Sequence, residues 1–156
     1  MKIKFKLTLI IIFFNFLLGT NVFSADKHEL LQQDWSFKSF FGTFDRASLQ
    51  RGYQVYTEVC ASCHSMKHLS YRNLAQPGGP EFSNEQVKII ASQFEVRDGP
   101  NDDGEMFDRP ARPSDNFVSP YSNDKEAAAA NGGAYPPDMS VLVKARKGGA
   151  DYIYSL

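Results

Sequence analysis

The chain has 156 residues and a formal net charge of −1, which suits a single domain and excludes a whole-protein electrostatic grip on nucleic acid. Hydrophobic residues make up 42% of it, and many of them sit in the first two dozen positions, so the share left for a folded core is modest.

The N-terminus opens with Lys2, Lys4 and Lys6, continues as an apolar run from Leu7 to Leu18, and ends in Val22-Phe23-Ser24-Ala25. This layout predicts a secretory signal peptide over residues 1–24, with Val22 and Ser24 at the two specificity positions of the cleavage site. The apolar run is shorter than the ~20 residues a spanning helix needs, and the Lys-rich leader points to bacterial export and a periplasmic setting. The folded domain is therefore expected over residues 25–156.

An aromatic segment follows, with Trp35, Phe37, Phe40, Phe41 and Phe44, suited either to a core or to the wall of a flat cofactor pocket. Asp45 is a helix cap, after which Leu49, Tyr53, Tyr56 and Cys60 recur at helical spacing and put Cys60 at the helix's C-terminal end. Pro77 to Pro80 is a turn. "SNEQVKIIASQFEV" predicts a second helix, opened by a Ser83/Gln86 capping box, with Val87, Ile90, Ala91 and Phe94 as its buried stripe. The stretch from Arg97 to Asp124 carries Pro100, Pro110, Pro113 and Pro120 and reads as a long loop. A third helix is capped by Asn123, with Glu126 reaching back, and stops at Asn131-Gly132-Gly133. Asp138 is expected to cap a fourth, whose apolar side is Met139, Leu142 and Val143 and which Gly148 ends. No strand is predicted. Short helices with few apolar residues each need a large prosthetic group at their centre to be more than marginal.

Both cysteines lie in Cys60-x-x-Cys63-His64. Two thiols at this spacing can add to the vinyl groups of a haem while the following imidazole coordinates the iron, the pattern of c-type attachment. His64 would then need its other ring nitrogen oriented by an acceptor such as a backbone carbonyl. A redox C-x-x-C site lacks the βαβ setting it usually has, and zinc would have to gather Cys60, Cys63, His64 and His68 from nine residues. A disulfide closing so small a loop would constrain the unfolded chain little. His28 and His68 are not assigned as ligands.

The wording around this motif, "FDRASLQRGYQVYTEVCASCHSMKHLSYRNL", then "VRDGPNDDGEMFDRPARPSDNF", "PYSNDKEAAAANGGAYPPDMS" and "VKARKGGADYIYSL", closely resembles the cytochrome c1 family from about Trp35 to Leu156. The resemblance implies a mainly α, cytochrome c-type haem domain of short helices and long loops. It implies one covalent haem c on Cys60 and Cys63, with His64 as proximal iron ligand, Pro136 and Pro137 against the macrocycle, and Arg146 paired with a propionate. The run Glu95, Asp98, Asp102, Asp103 and Glu105 resembles the family's acidic face, suited to steering a basic cytochrome.

In that family the chain carries electrons from the Rieske iron-sulfur subunit to a soluble cytochrome c, beside cytochrome b, on the periplasmic side of the bacterial inner membrane. It is a subunit of quinol–cytochrome c oxidoreductase and not an enzyme by itself. The family's sixth ligand, a methionine, and its C-terminal membrane anchor are expected beyond Leu156, so the domain is expected to be incomplete there. Met106 and Met139 could reach an iron by spacing, but the family pattern assigns neither. With the sixth position open, the same site would suit a soluble periplasmic sensor or small-ligand binder, the alternative function.

Overall fold

The computed structural model describes residues 29–156; the expected signal peptide, residues 1–24, and His28 lie outside them. The described chain is mostly helix and loop with one two-stranded sheet.

Helix α1, Arg46–Glu58, begins where Asp45 Oδ1 accepts from the Ser48 amide at 2.7 Å, so the expected cap forms. Tyr56 is buried on its inner face, with Leu49 and Tyr53 half-buried beside it. The helix ends at Val59, where Ser62 Oγ donates to the Val59 carbonyl at 2.7 Å. Cys60 therefore does not end α1 but opens a separate 3₁₀ turn, Cys60–Ser62. A second 3₁₀ turn, Tyr71–Ala75, buries Tyr71 and Leu74.

Helix α2, Asn84–Ser92, starts with the predicted capping box: the Ser83 amide donates to Gln86 Oε1 at 2.8 Å, and the Gln86 amide donates to Ser83 Oγ at 3.1 Å. It buries Val87 and Ala91, but it stops before Phe94. Phe94 leaves the helix and stacks on Tyr71 at 5.4 Å.

The end of the predicted second helix and the region expected to be a loop instead contain strands β1, Glu95–Asp98, and β2, Phe107–Pro110, paired antiparallel with Val96 opposite Arg109 and Arg97 opposite Asp108. Neither strand alternates apolar and polar residues. The hairpin is held by backbone pairing and by charge, with Arg109 bridging Asp98 and Asp115, contacts between distant residues that periodicity does not reveal.

Helix α3, Asp124–Ala130, is capped by Asn123 Oδ1, which accepts from the Lys125 and Glu126 amides at 3.1 and 3.0 Å. Glu126 does reach back, but to the Ser122 amide, one residue beyond the cap. Gly132 and Gly133, at φ of 64° and 90°, take the left-handed backbone that ends the helix.

Helix α4 is only Leu142–Ala145, and Asp138 does not cap it because its carboxylate is spent elsewhere. After the turn at Gly148 and Gly149, a further helix, α5, Ala150–Tyr154, was not foreseen. Gly148 sits at φ 95°, and a Cβ there would run into Leu30, so the N-terminal segment crosses this turn closely.

One core joins these pieces: Tyr56, Tyr71, Leu74, Val87, Ala91, Ala111 and Phe117. Tyr71 meets Phe117 at 4.8 Å and Phe117 meets Tyr56 at 6.0 Å, so aromatic contacts tie α1, the second 3₁₀ turn and the loop after β2 together. The aromatic segment stands apart from this core. Trp35 stacks on Phe37 and meets Tyr154 of α5 edge-on, and Phe37 packs tilted against Phe44, while Phe40 and Phe41 are 94% and 88% exposed. That segment is clamped by Asp151, whose buried carboxylate accepts from the Gln33 amide, Trp35 Nε1 and Lys38 Nζ at 3.1, 2.6 and 2.8 Å.

Among the described residues no helix is long and apolar enough to cross a membrane.

Candidate functional site

The Cys60–Ser62 turn folds tightly because the amides of Cys63 and His64 both donate to the Cys60 carbonyl, at 3.1 and 2.8 Å. This brings Cys60, Cys63 and His64 to one corner at the end of α1, all half-buried and both thiols free. Tyr56 steadies the corner from below, its hydroxyl 3.5 Å from the His64 carbonyl. Burial pushes that phenol up to about 12, so it stays a neutral donor.

The second wall comes from a distant part of the chain. His64 Nδ1 lies 2.8 Å from the Pro137 carbonyl oxygen. A carbonyl only accepts, so Nδ1 carries the proton and the Nε2 lone pair is left for a metal. The carbonyl acceptor anticipated for this imidazole is thus identified as Pro137, a partner 73 positions away that no local pattern could name.

Asp138 locks the same wall in place. Its Oδ2 accepts from Ser65 Oγ and the Lys67 amide, both at 2.8 Å, and its Oδ1 accepts from the Ser140 amide at 2.9 Å. The Met139 amide donates to the Ser65 carbonyl at 2.8 Å, and the His68 amide donates to Ser140 Oγ at 3.1 Å. Burial opposes ionisation of Asp138, but the hydrogen bonds from Ser140, Lys67 and Ser65 win and hold its carboxyl down at about 2.

Arg146 ends α4 in an extended conformation and is exposed; none of the ion pairs among the described residues involves it. Among the described residues no hydrogen bond joins its side chain to the His64–Pro137 wall. Met106 is exposed beyond β1, whereas Met66 and Met139 are half-buried against the core. His68 is exposed. In the acidic run, Glu95, Asp102, Asp103 and Glu105 are exposed, but Asp98 is tied to Arg109, which holds its carboxyl below the usual range.

The donor set fits a covalently attached haem: two unpaired thiols and one imidazole whose Nδ1 is bonded to the Pro137 carbonyl, leaving Nε2 for a metal. Apolar side chains left exposed on the two segments joined by the His64–Pro137 bond, Val59 before the motif and Tyr135, Val141 and Val143 around Pro137, suit a flat apolar group. The apolar cavity of about 370 Å³ between α1 and the core, lined by Leu49, Gly52, Tyr53, Leu69 and Phe117, does not include the motif and is a separate feature. Among the described residues no three His, Cys, Asp or Glu side chains gather as a metal-binding cluster.

A helical, loop-rich domain presenting two free thiols and an oriented imidazole defines a candidate prosthetic-group carrier. The model of the cytochrome C1 family matches residues 35–156, and the chain belongs to that family. It is 55% identical over 127 residues to cytochrome c1 of Rhodospirillum rubrum, covering 81% of this chain and 46% of that protein. It is 50% identical over 122 residues to the mitochondrial haem protein cytochrome c1 of Saccharomyces cerevisiae, covering 78% of this chain and 38% of that protein. The mitochondrial cytochrome b-c1 complex catalytic subunit of Candida albicans is 47% identical over 123 residues, with 79% and 42% covered. The chain thus spans about half the length, or less, of these relatives.

Proposed function

We propose that this chain is the haem-carrying part of an electron-transfer subunit of the cytochrome bc1 complex, taking one electron from the Rieske iron-sulfur subunit and passing it to a soluble cytochrome c. The observation that carries the reading is the His64 Nδ1 to Pro137 carbonyl bond beside two free thiols, which prepares Nε2 as a ligand. When bound, the haem supplies a one-electron redox centre. The chain's own residues would hold it: Cys60 and Cys63 through thioether bonds, His64 as a ligand to the iron oriented by the Pro137 carbonyl, and Arg146 by pairing with a carboxylate of the group. No side chain makes or breaks a substrate bond, so the chain is a component of an oxidoreductase and not an enzyme alone.

Residues 1–24 are proposed as its signal peptide and residues 25–156 as a cytochrome c-type domain on the periplasmic side of a bacterial inner membrane. Its proposed partners are cytochrome b and the Rieske subunit. Family membership and the named cytochrome c1 relatives support this assignment.

The test is expression of the full-length protein with a cytochrome c maturation system, followed by haem staining after denaturing electrophoresis. Covalent haem in the parent, reduced in Cys60→Ala and Cys63→Ala and abolished in the double variant, is expected. A parent without covalent haem would overturn the reading.

A further inference from the structure

We propose that Asp138 is the positioning residue for His64: by stapling the loop that carries the Pro137 carbonyl onto the chain just past the cysteines, it fixes the imidazole's hydrogen bond and so tunes the bound haem. The inference rests on the proposed role of His64 as proximal ligand.

The geometry leads there by elimination. The carbonyl that accepts from His64 Nδ1 belongs to a loop segment, not to a helix or strand, so its place depends on what anchors residues 136–140. Pro136 and Pro137 have no amide to donate, so the segment's anchorage begins at residue 138. There the Asp138 carboxylate takes Ser65 Oγ and the Lys67 amide on one oxygen, immediately after His64 in the chain. Its other oxygen takes the Ser140 amide, which turns Ser140 so that its Oγ accepts from the His68 amide. The Met139 amide adds a bond to the Ser65 carbonyl from the same turn.

All three groups bound by the Asp138 carboxylate are donors, and Ser65 is buried. The group at 138 must therefore be acceptor-only on both oxygens, which an ionised Asp is and an Asn is not. In Asp138→Asn, whichever way the amide is turned, an NH₂ faces an N–H or O–H that has lost its acceptor. The loop would then loosen first at the residue next to Pro137.

The consequence at the metal has a definite sign. An acceptor held on Nδ1–H makes the imidazole a stronger donor and favours the oxidised iron. Loosening that acceptor should raise the reduction potential and expose the Nδ1 proton to exchange.

The experiment uses the full-length protein matured with covalent haem, as parent, Asp138→Asn, Ser65→Ala and, as a control in the hairpin, Asp115→Asn. Redox titration and proton NMR of the axial histidine are the readouts. In Asp138→Asn the potential is expected to rise, and the His64 Nδ1 proton to exchange at least about tenfold faster, as the loss of a buried hydrogen bond implies. Ser65→Ala, which removes one bond, should move both in the same direction by less, and it carries the test if Asp138→Asn fails to fold. Asp115→Asn should move neither, although it cuts the Arg109 pair. Covalent haem with unchanged potential and exchange in Asp138→Asn, or in Ser65→Ala where that is the variant that folds, overturns the proposal while leaving the haem assignment standing. A parent without covalent haem overturns both.

Discussion

Replacing Asp138 by Asn should also change stability in a way that depends on pH. In the folded chain the carboxyl sits at about 2 against 3.8 in its unperturbed state, because its hydrogen-bond donors outweigh the effect of burial. A depressed folded value means that the unfolded chain binds more protons between the two values, so stability rises with pH across that window. The linkage gives roughly 2 kcal/mol at pH 7, about half of that at pH 3 and little at pH 2. The stability gap between parent and variant should follow that curve: full above pH 5, halved near pH 3, nearly closed at pH 2. Urea unfolding of the haem-loaded protein at several pH values measures it, with Trp35, the chain's single tryptophan, as the fluorescent reporter. A gap below about 0.5 kcal/mol at pH 7, or one that does not shrink between pH 5 and pH 2, would refute the reasoning.

The other predictions concern the core and the N-terminal clamp. Val87 is 1% exposed, so Val87→Ala should lower stability by about 2 kcal/mol, whereas Ile89→Ala, on the exposed side of α2, should cost less than about 0.5 kcal/mol; equal losses in denaturant unfolding would contradict the assigned face. Asp151→Asn should free the N-terminal segment and speed tryptic cleavage after Lys38, with no change in cleavage counting against the clamp. Lys38 and Trp35 hold the Asp151 carboxyl below its usual range, so in the parent the clamp is present at neutral pH and is lost as pH falls through that lowered value.

How far the fold was legible depended on the range of the interactions. The Asp45 cap, the Ser83/Gln86 box, the Asn123 cap and the glycine stop after α3 each involve residues within a few positions, and each forms as read. The hairpin was missed because its pairing is carried by Arg97 with Asp108 and by Arg109 with Asp98, eleven residues apart in each case, with no alternating apolar signal. Asp138 was misread for an instructive reason. Its spacing before Leu142 is what a cap would have, but a carboxylate serves whichever donors are nearest, and the tertiary fold puts Ser65 and Lys67 there. Phe40 and Phe41, in a segment suited to burial, stay exposed, while Asp151 holds that segment through Gln33, Trp35 and Lys38.

By itself the sequence pointed to the proposed attachment chemistry, since the spacing of Cys60, Cys63 and His64 is local and can be read without the rest of the chain. It also carried the family. Only the tertiary structure decided which carbonyl meets His64 Nδ1 and which donors the Asp138 carboxylate binds. Hydrogen bonds are short-ranged in space but indifferent to separation along the chain, so partners 73 positions apart leave no periodic mark in a single sequence.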